Sequence, residues 1–163
     1  MAKSDPALPI EAFAAALPAL APILGLDVGT KTIGVALSDP SRTIATAHRT
    51  IARSKFAADA AALLALAAGL DATGLVIGLP LNMDGSEGPR AQSTRAFARN
   101  LAALTPLPLA YWDERLSTAA AERLLIAADR SRARRAAVID QTAAAYILQG
   151  ALDRLRYLAA GRS

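Results

Sequence analysis

The chain has 163 residues, a hydrophobic fraction of 53%, an aromatic fraction of 4% and a formal net charge of +4. That length suits one domain, which could bury roughly two-thirds of the surface of the unfolded chain. The absence of cysteine excludes disulfides, thiolate zinc sites and cysteine nucleophiles, and the single histidine, His48, excludes a histidine-rich metal site. Since no apolar run approaches the ~20 residues that span a bilayer, we expect a cytoplasmic protein without a membrane partner.

The positive charge is concentrated in one region. Between Arg90 and Arg135 there are nine basic residues and four acids, whereas the rest of the chain carries a net charge of −1. A regional basic field indicates a polyanionic partner. An arginine-rich, solvated surface is the alternative explanation.

The first half of the chain predicts an extension followed by a strand meander. Residues 1–22 are expected to form an N-terminal extension with a short helix near 10–17, ended by Pro18 and Pro22. A single domain then covers 23–160. Its first three strands, joined by short turns and therefore antiparallel, are predicted at 23–28, 32–38 and 43–52.

The second half alternates helices with apolar strands. Helices are predicted at 55–68, 90–104 and from Ser117 or Thr118 to about 128, and strands at 74–80 and 107–113. A charged connector, DRSRARR (129–135), precedes a last helix at about 137–158. The order β-β-β-α-β-α-β-α-α predicts a mixed α/β sheet on which the last helix packs back.

Asp27 lies in the middle of the most hydrophobic opening strand, where a buried carboxylate is costly. Side chains alternate along strands, so Asp27 shares a face with Gly25 and Gly29, and the second strand adds Gly34 and Ala36. These small neighbours predict open space above the carboxylate for a ligand or an ion. The alternative is an Asx-type hydrogen bond that caps the following turn.

Other acids occur at the ends of predicted elements. Hydrolysis of a phosphodiester with Mg²⁺ needs several carboxylates, because oxygen ligands hold the ion. Asp113 and Glu114 end an apolar strand, where α/β sites are normally built, and Asp140 lies in the predicted first turn of the last helix, where the helix dipole favours an acid. A surface turn and this dipole preference are their structural alternatives. Asp39, before Pro40, is interpreted first as a turn residue.

Four motifs together resemble the YqgF/RuvX family of the ribonuclease H-like superfamily: LGLDVGTKTIGVALSD, VIGLPLNMDGSEGPRAQSTRAFARNL, YWDERLST and VIDQTAAAYILQGALD. The resemblance spans residues 23 to about 153. It implies an α/β fold with a five-stranded mixed sheet, first three strands antiparallel, flanked by helices. It also implies a metal-dependent nuclease. Members are described as nucleases that mature the 5′ end of pre-16S rRNA, and some as Holliday junction resolvases.

The resemblance carries catalytic and metal-binding roles onto Asp27, Glu114 and Asp140. These acids would hold two Mg²⁺ ions, or Mn²⁺, roughly 4 Å apart. No side-chain nucleophile is then required. Asp113 and Asp39 are further candidates for a ligand.

Nucleic-acid contacts are expected around that site. The family pattern often has arginine after the lysine of GTK, but Thr32 stands there, so Lys31 would do more. In the loop NMDGSEGPR, Asn82 or backbone amides would meet phosphate. Three arginines recur at spacings of five and four, close to one helix face: Arg90, Arg95 and Arg99. The remaining expected contacts are Arg115, Arg132, Arg134 and Arg135.

Two other classes stay open. The hairpin GLDVGTKTIGVAL also resembles the phosphate loop of ATP-using sugar kinases, actins and chaperones, but those proteins need two such domains. A non-catalytic binding module of the same fold is the second alternative. The expected partner is nucleic acid, either structured RNA such as pre-16S rRNA or branched DNA, bound by a monomer or a weak homodimer.

Overall fold

The computed structural model describes the backbone of residues 4–116 and 132–161, and the side chains of 4–116 and 142–161. Numbered in chain order, the described elements are α1 (Ile10–Ala16), β1 (Leu24–Val28), β2 (Thr32–Ser38), β3 (Ala45–Ala52), α2 (Phe56–Gly69), β4 (Leu75–Leu79), α3 (Pro89–Ala102), β5 (Leu109–Asp113), a 3-10 turn (Glu114–Leu116) and α4 (Arg132–Ala160). The bounds of β2 agree with those predicted, and most others agree within two residues.

The five strands form one sheet in the order β3-β2-β1-β4-β5. The pairs β1–β2 and β2–β3 are antiparallel, whereas β1–β4 and β4–β5 are parallel. The predicted mixed sheet with an antiparallel first half is therefore confirmed. Because β1, β4 and β5 run in the same direction, they end at one edge of the sheet, which we call the carboxyl edge.

Two hydrophobic cores lie on opposite faces of the sheet. Leu24, Leu26 and Val28 face α2 and α3, where they pack in one cluster with Leu63 and Phe97. The opposite face is covered by α4, in a second cluster that contains Ala36, Val76, Ala110, Ile147 and Leu148. Strand alternation places Asp27 on this second face, beneath α4.

At the beginning of β1, the small residues near Asp27 allow α4 to pack closely against the sheet. A Cβ at Gly25 would lie 2.6 Å from Leu148 Cβ and 3.0 Å from the carbonyl oxygen of Ala144. Ala36 is fully buried in the same cluster. The predicted open space is therefore wrong at Gly25 and Ala36, because α4 occupies it.

The N-terminal extension packs against the domain. Phe13 of α1 is fully buried in the core beneath α4. A Cβ at Gly74 would lie 2.9 Å from Phe13 Cζ, which shows how closely α1 approaches the beginning of β4. The Leu8 amide donates a 2.8 Å hydrogen bond to the carbonyl oxygen of Leu109, at the outer edge of β5.

The end of the chain departs from the prediction. The last helix begins at Arg132, so residues 132–135 are helical and the predicted connector is wrong there. For the same reason Asp140 does not lie in the first turn, and the dipole argument for its position fails. The helix predicted from Ser117 or Thr118 to 128 lies outside the described residues. Within the described part of the chain, no helix is long and apolar enough to cross a membrane.

Candidate active site

Asp27 is buried one residue before the carboxyl end of β1. It is 3% exposed, and its Cα pairs with that of Gly34 across the hairpin. The turn that follows is closed by the main chain, since the Gly29 amide donates a 2.9 Å hydrogen bond to the Thr32 carbonyl oxygen. The strand ladder on both sides fixes the direction of the Asp27 side chain.

Glu114 brings a second buried carboxylate to the same edge. It follows β5 in the 3-10 turn and is 9% exposed. Its Oε1 would lie 2.8 Å from a Cβ built on Gly78 of β4. Gly78 follows Ile77, the partner of Leu26, and therefore lies level with Asp27. Neighbouring strands are about 4.8 Å apart, so the Glu114 carboxylate lies over the strand next to Asp27.

Gly78 is the functional position that the sequence analysis missed. A glycine inside an apolar strand often marks a close approach of other atoms, and VIGLP carried that signal. Any side chain at position 78 would occupy the space of the Glu114 carboxylate and of the Ile147 side chain. This glycine therefore lets the acid and α4 reach the sheet together.

The side chain of Asp140 lies outside the described residues, but its place in α4 is defined. The C-terminal part of α4 borders on Ser41 and Arg42, beside the segment that precedes β1, whereas Ala144 lies over Gly25. The helix therefore runs antiparallel to β1. Position 140 is one turn before Ala144, about 6 Å nearer the carboxyl edge, and Asp27 is about 7 Å beyond Gly25 in the same direction.

Asp113 points to the face opposite Glu114 and is paired with Arg115. The Asp113 carboxylate accepts three hydrogen bonds from the Arg115 guanidinium, the shortest 2.7 Å, and this contact is the main cause of a lowered pKa of Asp113. Asp113 is thus held away from the buried acids. This pairing favours the surface-turn alternative for Asp113 over a role as a further metal ligand.

Asp39 lies at the other edge of the sheet. β2 runs antiparallel to β1, and its end at Ser38 is level with the beginning of β1. Hydrogen bonds from the Ile44 amide, the Ser41 hydroxyl and the Thr43 amide lower the pKa of Asp39 to about 2. Asp39 is a turn residue, and it lies too far from Asp27 to bind the same metal ion.

The loop after β4 is a compact turn held by its own residues and by Arg115. The backbone carbonyl oxygen of Asn82 accepts a hydrogen bond from the Gly85 amide, and the side-chain amide of Asn82 donates one to the Ser86 hydroxyl. Arg115 donates to the Met83 carbonyl oxygen at 3.2 Å, and Gly85 adopts φ +88°, a backbone conformation that favours glycine. Arg115 therefore connects this loop to the end of β5, and its expected contact with phosphate stays a prediction.

The arginines of α3 do not act as one face. Arg95 contacts Glu87, lies 2.6 Å from an Asp5 oxygen and stacks 4.8 Å from the centroid of Tyr111, so its charge is balanced within the chain. Arg90 and Arg99 are exposed, but nine residues place them on opposite sides of a helix with 3.6 residues per turn. The predicted shared face is wrong.

Of the other residues predicted to bind nucleic acid, the structure describes the side chain of Lys31. Lys31 is exposed in the turn between β1 and β2. The expected contacts on the last helix lie in α4, with side chains outside the described ones: Arg132, Arg134 and Arg135. Lys31 therefore places an exposed positive charge four residues after Asp27 in sequence.

The donors at the carboxyl edge fit a hard divalent cation. Asp27 and Glu114 offer carboxylate oxygens, the ligands that Mg²⁺ prefers, and glycine at position 78 leaves the space in which the second carboxylate lies. Among the side chains that the structure describes, no three acidic, histidine or cysteine residues gather in one group. The third expected acid, Asp140, is outside that set.

Comparisons with known proteins identify relatives over most of the chain. Residues 21–154 match a family model described as "RuvX: Holliday junction resolvase". A relative from Rhodopseudomonas palustris (strain BisB5), named "Putative pre-16S rRNA nuclease", is 68% identical over 150 residues, which cover 92% of this chain and 94% of the relative. A relative of the same name from Paracoccus denitrificans (strain Pd 1222) is 66% identical over 149 residues, which cover 91% and 94%.

A third relative of that name, from Cereibacter sphaeroides (strain ATCC 17025 / ATH 2.4.3), is 64% identical over 154 residues, covering 94% of this chain and 96% of the relative. This match is longer than the chain after Pro22, so it includes part of the N-terminal extension. Among solved structures, "T. thermophilus RuvC in complex with Holliday junction substrate" aligns with a TM-score of 0.51 at 12% identity, covering 83% of this chain and 96% of that one. This likeness establishes the ribonuclease H-like fold.

Proposed function

This chain belongs to the RuvX family, and from that premise we propose that it is a metal-dependent nuclease that hydrolyses phosphodiester bonds. One observation carries the proposal: the carboxylates of Asp27 and Glu114 are buried at the same edge of the sheet, and Glu114, which follows β5, places its carboxylate over Gly78 of β4, the strand next to Asp27. Carboxylate oxygens are the ligands that Mg²⁺ prefers, and a divalent cation relieves the repulsion between two carboxylates that lie close together. A divalent metal site is therefore the function that this pair of acids supports best.

Asp27, Glu114 and Asp140 would hold Mg²⁺, with Mn²⁺ as an alternative. When bound, the metal would lower the pKa of the attacking water and stabilise the leaving oxygen. The protein contributes rigidity, because Asp27 lies in a central strand and Glu114 directly follows β5. The contact of Leu148 with Gly25 sets how closely α4, and with it position 140, approaches β1. Ile147 packs over Gly78 and shields one side of the Glu114 carboxylate from bulk water.

The proposed substrate is the 5′ end of pre-16S rRNA, in ribosome biogenesis, which would place the protein in the cytoplasm. The names of relatives that are 64–68% identical over almost the whole chain support this assignment. Branched DNA is the second candidate, supported by the description of the family and by the RuvC-like fold. The structured RNA is preferred because identity to these relatives is far higher than to RuvC.

The test offers the purified protein a 5′-extended 16S precursor and a four-way DNA junction side by side, each with Mg²⁺ or Mn²⁺. We expect cleavage of the precursor by the wild type and loss of cleavage in Asp27→Asn, Glu114→Gln and Asp140→Asn. The matched control is Asp71→Asn, an equal chemical change at an exposed acid with φ 56°, a conformation that asparagine tolerates.

Three outcomes would change the proposal. Full activity in one of the three acid variants would remove that residue from the metal site. Cleavage of the junction alone would favour the resolvase function. RNA binding without metal binding or cleavage would leave a non-catalytic module of the same fold.

A further inference from the structure

The turn after Asp27 accepts two hydrogen bonds from Arg53. Arg53 follows β3, and its backbone amide donates a 2.9 Å hydrogen bond to the carbonyl oxygen of Lys31. Its guanidinium Nη1 donates a 2.7 Å hydrogen bond to the carbonyl oxygen of Gly29. Arg53 therefore holds both ends of the turn that carries the exposed Lys31 side chain.

Arg53 is itself anchored to the two helices on the far side of the sheet. Its guanidinium lies 5.5 Å from the ring centroid of Phe97 in α3, a residue that is 4% exposed. Its Nε lies 3.9 Å from a carboxylate oxygen of Asp59 in α2. Asp59 is 3% exposed and also accepts a 3.0 Å hydrogen bond from the Ser54 amide. The Arg53 side chain thus connects the turn to α2 and α3.

Two of the other described cations near this edge are already paired with acids. Arg95 contacts Asp5 and Glu87, and Arg115 contacts Asp113. Lys31, four residues after Asp27 in sequence, has an exposed side chain. A flexible ammonium binds an anion more tightly when its backbone is already held in place, because less conformational entropy is lost on binding.

We propose that Arg53 is a positioning residue for nucleic-acid binding: it holds the Gly29–Lys31 turn so that the Lys31 ammonium meets a phosphate of the strand entering the site. This inference rests on the proposed function. Arg53 acts through Lys31 and does not contact the phosphate itself. Its contribution should therefore disappear when the Lys31 ammonium is removed.

The test is a double-mutant cycle on binding. Every protein carries Asp27→Asn so that the nucleic acid is not cleaved, and the dissociation constant for a labelled 5′-extended 16S precursor is measured over a series of salt concentrations. Lys31→Ala should weaken binding about twofold to fivefold, as for an exposed ion pair, and reduce the salt slope by about 0.7 to 0.9. Arg53→Met, which retains an apolar stem against Phe97, should cause a similar loss.

The combination of Lys31→Ala with Arg53→Met should bind like Lys31→Ala alone, since non-additivity reports coupling. Arg49→Ala is the matched control. It removes an equal charge from an exposed position on β3, and its effect should add to that of Lys31→Ala. Arg53→Lys keeps the net charge and the fold but not the planar guanidinium, and it should bind more weakly than the parent.

Additive effects of Lys31→Ala and Arg53→Met would overturn the inference, because Arg53 would then contact phosphate directly or act through net charge. Parental affinity in Arg53→Lys or Arg53→Met would overturn it as well. These results leave the proposed nuclease function untouched. If the parent binds neither the precursor nor a four-way junction, the proposed function fails and the inference fails with it.

Discussion

The Glu114 carboxylate packs against Gly78 so closely that only 2.8 Å separates its Oε1 from the position of a Cβ on residue 78. Gly78→Ala should therefore displace Glu114, or push back Ile147, which packs against the same point. A displacement of about 1 Å at a catalytic group can cost roughly 100-fold in rate, and overpacking costs about 1–3 kcal/mol of stability. Cleavage assays and urea unfolding measure the two effects.

The control for that substitution is Gly69→Ala, because a Cβ at position 69 has no neighbour within 4 Å. It should leave cleavage unchanged and preserve stability. If Gly78→Ala cleaves as fast as the wild type, the added Cβ displaces Ile147 and leaves Glu114 in place, and the predicted displacement of Glu114 is wrong.

Phe13 links the N-terminal extension to the core beneath α4. Because its ring is fully buried, Phe13→Ala should lower the free energy of unfolding by about 3–5 kcal/mol. Leu20→Ala, in the same extension but 73% exposed, should change it by less than about 0.5 kcal/mol. Chemical denaturation of both variants measures the difference. Equal, small effects would mean that the extension does not contribute to folding.

Because the pKa of Asp39 is lowered, we expect its contribution to the free energy of unfolding to depend on pH. Its pKa in the folded protein is about 2, below its ordinary value, because of the hydrogen bonds that it accepts. A lowered pKa stabilises the fold above the unfolded pKa, near 3.9, and that stabilisation is lost as the pH falls toward 2. The stability difference between wild type and Asp39→Ala should therefore shrink between about pH 4 and pH 2. A difference that stays constant in urea titrations across this range would contradict the prediction.

Metal binding at the carboxyl edge should be visible without an activity assay. A ligand at 100 times its dissociation constant stabilises the folded state by about 2.7 kcal/mol. Mg²⁺ or Mn²⁺ should therefore raise the thermal midpoint of the wild type, and EDTA should reverse the rise. The shift should be absent in Asp27→Asn and retained in Asp71→Asn. An equal shift in both variants would place the metal elsewhere.

The strands were predictable because they depend on local patterns, whereas the roles of the three acids stay predictions. Alternation and turn residues located β2 within its bounds, Thr32–Ser38, and the four motifs singled out Asp27 and Glu114. The helical pattern was less precise where charge is dense, and α4 begins five residues before the predicted position because helix formation continues through its arginines.

Local sequence could not predict which contacts each side chain makes with segments that are distant in the chain. Arg95 looked like a phosphate ligand until the fold brought Asp5 to it from 90 positions away. The glycine at position 25 looked like space for a ligand, yet it receives Leu148. By itself the sequence determined which strands form, which family the chain resembles and which acids are available, since these follow from periodicity and motif. Only the tertiary structure decided that Glu114 lies over Gly78 and that Arg53 holds the Lys31 turn, because both contacts join segments that only the assembled sheet brings together.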